Sequence, residues 1–127
     1  MSKNKNNLAE FDWVMYNNHA YQVESVAEDK VRLHGRCNPV NVESVRLIRL
    51  TEDILLGMGW CRYEHEALKQ DFWYYEGLEL YDVPGISYYV KVSGRKAVIS
   101  SVSDLQAIMR MSGLCKEANA MKVEKLY

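Results

Sequence analysis

The chain is poor in the residues that usually announce chemistry. Its two prolines and seven glycines are scattered through 127 residues, so no glycine-rich loop is present to cradle a phosphate. There is no Gly-x-Ser-x-Gly nucleophile elbow. Cys37, Cys61 and Cys115 are an odd, widely spaced set, which fits a reducing compartment better than a disulfide framework. No segment approaches the roughly 18 consecutive apolar residues that a membrane span requires. The first ten residues, MSKNKNNLAE, start basic but lack the apolar stretch of a secretory signal. These absences predict a cytoplasmic protein with no membrane association. A net charge of −1 also argues against indiscriminate nucleic-acid binding, which draws its affinity from neutralised phosphates.

What is present is strand. Apolar content of 48% and charged content of 26% are ordinary for a globular chain, and between Phe11 and Leu50 the apolar residues alternate. FDWVMY leads to Asn17-Asn18, a pair that tolerates the left-handed backbone of a two-residue hairpin. HAYQVESV follows, then a Glu28-Asp29 turn, then KVRLHG. A loop over residues 35–41 precedes a fourth strand expected over Val42–Leu50. Several short strands joined by tight turns, with one apolar face, predict a small β-barrel.

Thr51 reads as the cap of a short helix, with Glu52 and Asp53 in its first turn and Gly57 or Gly59 at its end. Aromatic strands over 60–66, 71–75, 78–81, 86–92 and 95–101 then predict an antiparallel meander, turning at Pro84-Gly85 and Ser93-Gly94. Ser103 with Gln106 predicts a capping box opening a second helix, closed by Gly113 and packed on the meander. Residues 118–126 read as a final edge strand. The expected organisation is a flexible tail over 1–10, a small barrel over 11–50, and an α+β part over 51–127 that shares a core with the barrel, since about forty residues cannot bury a robust core alone.

Motif by motif, catalysis finds little support. Cys61 and His65 lie four apart, but zinc needs three or four ligands and His19 and His34 sit in other elements. Asp82 with Tyr89-Val90-Lys91 echoes a nuclease site, yet Tyr89 stands where the metal-binding acid belongs. No catalytic residue, metal site or cofactor is therefore expected. Charge is uneven: Glu52–Asp82 holds eight acids against two bases, and 83–127 seven bases against three acids, an asymmetry that can steer a partner or set self-association. Of the nine tyrosines, Tyr74, Tyr75, Tyr81, Tyr88 and Tyr89 concentrate on adjacent meander strands, and Tyr is a frequent interface residue. The candidate binding residues are Trp73, Tyr75 and Tyr88, taken as an outward stacking surface, and Arg46 and Arg49, taken as a small basic face with Arg32 nearby.

The order of a W-V-x-Y strand, an Asn turn, a Y-x-V strand, LIRLTEDILLGMGW, aromatic strands and VSDLQAIMRMSG resembles a set of short uncharacterised proteins of gut anaerobes, their phages and mobile elements. The likeness covers about 11–114 and is most specific at Leu50–Trp60 and Val102–Gly113. It implies an SH3-like N-terminal barrel and a C-terminal V-x-x-L-Q helix, and carries over no site residues. The reading is an α+β protein, a small SH3-like β-barrel followed by an antiparallel meander packed with one or two short helices. As a function it predicts a non-catalytic protein-binding adaptor of phage or mobile-element origin. The alternative is a nucleic-acid or nucleotide binder that counters host defence; a homo-oligomer is compatible with either.

Overall fold

Asn17 and Asn18 both take the left-handed backbone, at φ 50° and 64°. They reverse β1 (Trp13–Tyr16) into β2 (His19–Ala27), the hairpin that the Asn pair predicts. This computed structural model describes residues 7–67, 70–83, 87–92 and 94–123. The fold is α+β, with two antiparallel five-stranded sheets and short helices. The chain divides into two units: Leu50–Ser100 forms one, and the described parts of Lys3–Arg49 and Ser101–Tyr127 form the other.

In the N-terminal sheet Glu28 (φ 56°) turns the chain into β3 (Lys30–Leu33), and β2 carries a register shift between Val23 and Ser25. The expected fourth strand over 42–50 is broken into β4 (Val40–Asn41), a 3-10 turn at Val42–Ser44 and β5 (Arg46–Leu47). The reason is spacing. Val42, Val45 and Ile48 are buried three apart where a strand would bury every second residue, and only the final pair, Ile48 and Leu50, keeps the strand spacing. The sheet order is β4-β3-β2-β1-β5, so β4 and β5 stand at opposite ends and the sheet is open rather than a closed barrel. Leu8, Val14, Val23, Val31, Leu33, Val40, Val42 and Val45 form its core. Leu8 thus belongs to the core, although the sequence placed it in the tail; residues 1–6 lie outside the described ones.

The C-terminal helices belong to this same unit, not to the meander on which the second helix was expected to pack. That helix, α2 (Val102–Met111), starts earlier than expected. Ser101 is its cap: its hydroxyl accepts from the Asp104 N–H, and Asp104 accepts from the Ser101 N–H, closing the capping box. Ser103 and Gln106 are instead buried inside the helix. Gly113 (φ 85°) ends it, the Leu114 N–H donating to the Met109 carbonyl. α3 (Cys115–Asn119) occupies the start of the predicted final strand; 120–123 contain no strand, and 124–126 lie outside the described residues.

Gln106 ties this unit together. Its Oε1 accepts from the Trp13 N–H at 2.9 Å, and its Nε2 donates to the carbonyls of Phe11 (2.8 Å) and Ala118 (3.0 Å). The Trp13 indole in turn donates to the Met121 carbonyl at 2.8 Å. Buried polar groups paired this fully hold β1, α2 and the 118–121 segment in one arrangement.

The other unit opens with α1 (Glu52–Gly57), capped by Thr51 as predicted. Its sheet is a meander in chain order: β6 (Cys61–His65), β7 (Gln70–Tyr75), β8 (Leu78–Val83), β9 (Ser87–Val92) and β10 (Arg95–Ile99). Glu76 (φ 46°) and Gly77 (φ 89°) make the tight β7–β8 turn. The predicted Pro84-Gly85 turn lies outside the described residues, as does Ser93; Gly94 (φ 79°) follows it.

Candidate functional site

Strand side chains alternate between faces, so the meander registers decide which residues share one. Tyr63 opposes Phe72, Phe72 opposes Tyr81, Tyr81 opposes Tyr89, and Tyr89 opposes Val98. One straight row of four aromatic rings and a valine therefore crosses all five strands. Ring centroids are 5.9, 5.7 and 5.2 Å apart along it, the spacing of favourable aromatic pairs. The Lys96 ammonium sits 4.7 Å from the Tyr89 centroid, a cation–π contact. Both ends of the row are open to solvent, Tyr63 at 52% and Val98 at 43%, and Tyr74, edge-on to Tyr63, is 41% exposed.

The middle of the row is tied down. The Tyr81 hydroxyl donates to Glu79 at 3.0 Å. Burial first, then the hydrogen bond and the negative charge of Glu79, hold the Tyr81 phenol above its ordinary value. A shallow depression beside it is lined by Gly77, Leu78, Glu79, Tyr81, Val90 and Lys91.

On the opposite face the next row runs Glu64, Asp71, Asp82 and Tyr88. Carboxylates facing each other on neighbouring strands repel, and Arg62 answers them. Its guanidinium lies 3.1 Å from Asp71, 3.0 Å from Asp82 and 3.2 Å from Glu52, and 5.3 Å from the centre of the Trp73 ring. Partial desolvation pulls the Arg62 guanidinium down, but the hydrogen bonds and charges of Asp71 and Asp82 outweigh it and hold it above its ordinary value. A guanidinium occupied by three carboxylates is a structural clasp, not a free anion receptor.

The predicted site residues fall differently from expectation. Trp73 (2% exposed) and Tyr88 (8%) are buried, and Tyr75 is half-buried with its ring stacked on Trp60 at 5.3 Å. All three share the face of Arg62, so they do not form an outward stacking surface. The aromatic row on the other face was missed by one residue of strand phase. Arg46 and Arg49 are exposed but belong to the other unit. Arg32, whose guanidinium donates to the Cys37 carbonyl, is on β3, with two strands between it and β5 in the sheet order.

Asp82 and Lys91 point to opposite faces of the meander, which separates the two halves of the nuclease-like fragment. Cys61 is exposed on β6; the His65 side chain lies outside the described residues. Among the described residues no group of three His, Cys, Asp or Glu is placed to hold a metal ion, and no helix is long and apolar enough to cross a membrane. Compared with protein-family models, curated proteins and solved structures, the chain gives no significant match.

Proposed function

We propose that the protein is a non-catalytic protein-binding module, with the outward face of the meander as its docking surface. The observation that carries this reading is the row Tyr63–Phe72–Tyr81–Tyr89, ending in Val98 and flanked by Tyr74, on a sheet face open to solvent at both ends. The exposed Tyr63 and Tyr74 and the half-buried Phe72 and Tyr89, locked in place around the buried Tyr81, present aromatic area with little rotamer entropy left to lose, which is what interface anchors require.

The N-terminal unit supports a scaffold role. Its four-strand meander, 3-10 turn and fifth strand beside β1, in an open sheet, support an SH3-like reading of this unit. With the likeness to proteins of phages and mobile elements, this suggests an adaptor acting inside the host cytoplasm. The test is affinity capture from host and phage-infected extracts, comparing the natural chain with Tyr63→Ser/Tyr74→Ser/Val98→Ser. The expected outcome is a defined partner retained by the first and lost by the second, with unchanged circular dichroism. No partner, or equal capture by both proteins, sinks the proposal.

A nucleic-acid role keeps one favouring observation, the Lys91–Lys96 cross-strand pair beside the stacked rings. It requires oligonucleotide retention that falls steeply with salt and is weakened by Lys96→Ala. Arg46→Ala or Arg49→Ala would report on a basic face of the other unit instead.

A further inference from the structure

We infer that β6 is a self-association edge, on which two copies of this chain pair antiparallel about a two-fold axis at Tyr63. β6 ends the order of its sheet, and Cys61, Arg62, Tyr63 and Glu64 are all exposed. Antiparallel pairing centred on Tyr63 sets that ring against its counterpart, and sets Arg62 of each copy opposite Glu64 of the other. Arg-Tyr-Glu is thus complementary to itself across a two-fold axis, which an isologous contact demands.

Two rows already built across the sheet stop at this edge. The aromatic row ends at Tyr63, and a second copy extends it with the same four rings in reverse order. The acid row Asp82–Asp71–Glu64 ends at Glu64. Asp71 and Asp82 are answered by Arg62, whereas among the described residues Glu64 has no ion-pair partner. Arg62 of the second copy is the next member of that row: its guanidinium is already shared by Glu52, Asp71 and Asp82, but its side chain stays 37% exposed and can meet Glu64 on its open side.

The remaining sheet edges do not fit this way. β10 paired with itself about Ala97 would set Lys96 against Val98 and Arg95 against Ile99, and basic residues on an edge strand are a common protection against pairing. β4 and β5 have two residues each. Five residues a side on β6 make a small interface, so the association is weak and concentration-dependent. It needs no other protein, so it stands or falls separately from the partner-binding reading.

Light scattering on the purified chain should show a mass rising from 14.8 kDa toward twice that value with concentration. Glu64→Arg places arginines opposite one another and should stay monomeric at concentrations where the natural chain is dimeric. Arg62→Glu should do the same, and an equimolar mixture of the two variants should restore the dimer. Arg62→Glu also dismantles the clasp, so a cross-linking experiment provides a second readout. In a chain freed of its own thiols by Cys37→Ser, Cys61→Ser and Cys115→Ser, Tyr63→Cys places two thiols on directly opposed strand positions, within disulfide reach. Mild oxidation should then give a covalent dimer far faster than Val98→Cys on β10 does. A monomer at every concentration, a dimer indifferent to Glu64→Arg, or equal cross-linking at the two edges would overturn the proposal.

Discussion

Asp12 and Arg110 form an ion pair of 2.7 Å across 98 residues of sequence, and the Asp12 side chain is wholly excluded from solvent. The pair is embedded in further bonds. The Ala9 N–H donates to the second Asp12 oxygen, and Arg110 also donates to Asn119 and to the Glu10 carbonyl. It fastens the segment before β1 to α2 and α3 within the N-terminal unit.

Removing one member of such a pair leaves the other charge buried without its counterpart. Arg110→Ala is expected to cost about 3–5 kcal/mol, the range for breaking buried pairs, read as a lower midpoint in urea unfolding. Arg110→Lys keeps the charge but loses the planar fork that serves Asp12, Asn119 and Glu10 together, so it should recover only part of the loss. Full stability in Arg110→Ala would show the pair to be energetically idle.

Gln106 presents an amide whose two ends are both used. Gln106→Glu removes the donor and sets a carboxylate against the carbonyls of Phe11 and Ala118, while keeping the acceptor for the Trp13 N–H. We expect a loss of about 1–3 kcal/mol or more, the cost of stranding buried polar groups, and a stability that recovers as acid protonates the introduced carboxyl. Gln106→Leu should be destabilising at every pH. Thermal melts across a pH series separate the two variants.

Tyr81 makes a prediction at alkaline pH. Its folded phenol titrates above the unfolded one, because burial and the Glu79 carboxylate favour the neutral form. Its contribution to stability is therefore complete below the unfolded phenol value and lost as pH rises through the folded value. In a tyrosinate absorbance titration Tyr81 should contribute a late component, absent in Tyr81→Phe and shifted downward in Glu79→Gln. A titration unchanged by either substitution would refute this assignment.

Much of the local structure was readable because local chemistry sets it. The Asn17-Asn18 hairpin, the Thr51 cap and the Gly113 stop each follow from backbone preferences of the residue at that position. The start of α2 was misplaced because Ser101 and Ser103 are equally good caps in isolation. Asp104, three residues after Ser101, closes the box, and the burial of Ser103 and Gln106 excludes the later start. The strand expected over 42–50 failed for a similar reason: Val42, Val45 and Ile48 bury at every third position, and an alternating reading cannot foresee that.

By itself, the sequence determined the first hairpin, the meander strands, α1 and α2, from period, turn residues and caps, but not the broken segment over 40–47 or α3, and it concentrated aromatics on the meander strands. Which face those aromatics occupy was decided only by tertiary structure. In a strand, a slip of one residue exchanges the faces; DFWYY reads equally well with Trp73 outward or with Phe72 and Tyr74 outward. Burial of Trp73, Leu80, Tyr88 and Val90 together on the Arg62 face selects the second and leaves Tyr63, Phe72, Tyr81 and Tyr89 in one row. Tertiary structure likewise assigned α2 and α3 to the N-terminal unit, since the Asp12–Arg110 and Trp13–Gln106 contacts join residues more than ninety positions apart. No local pattern encodes pairings at that separation; they are set by which polar groups can be satisfied once the apolar faces are buried.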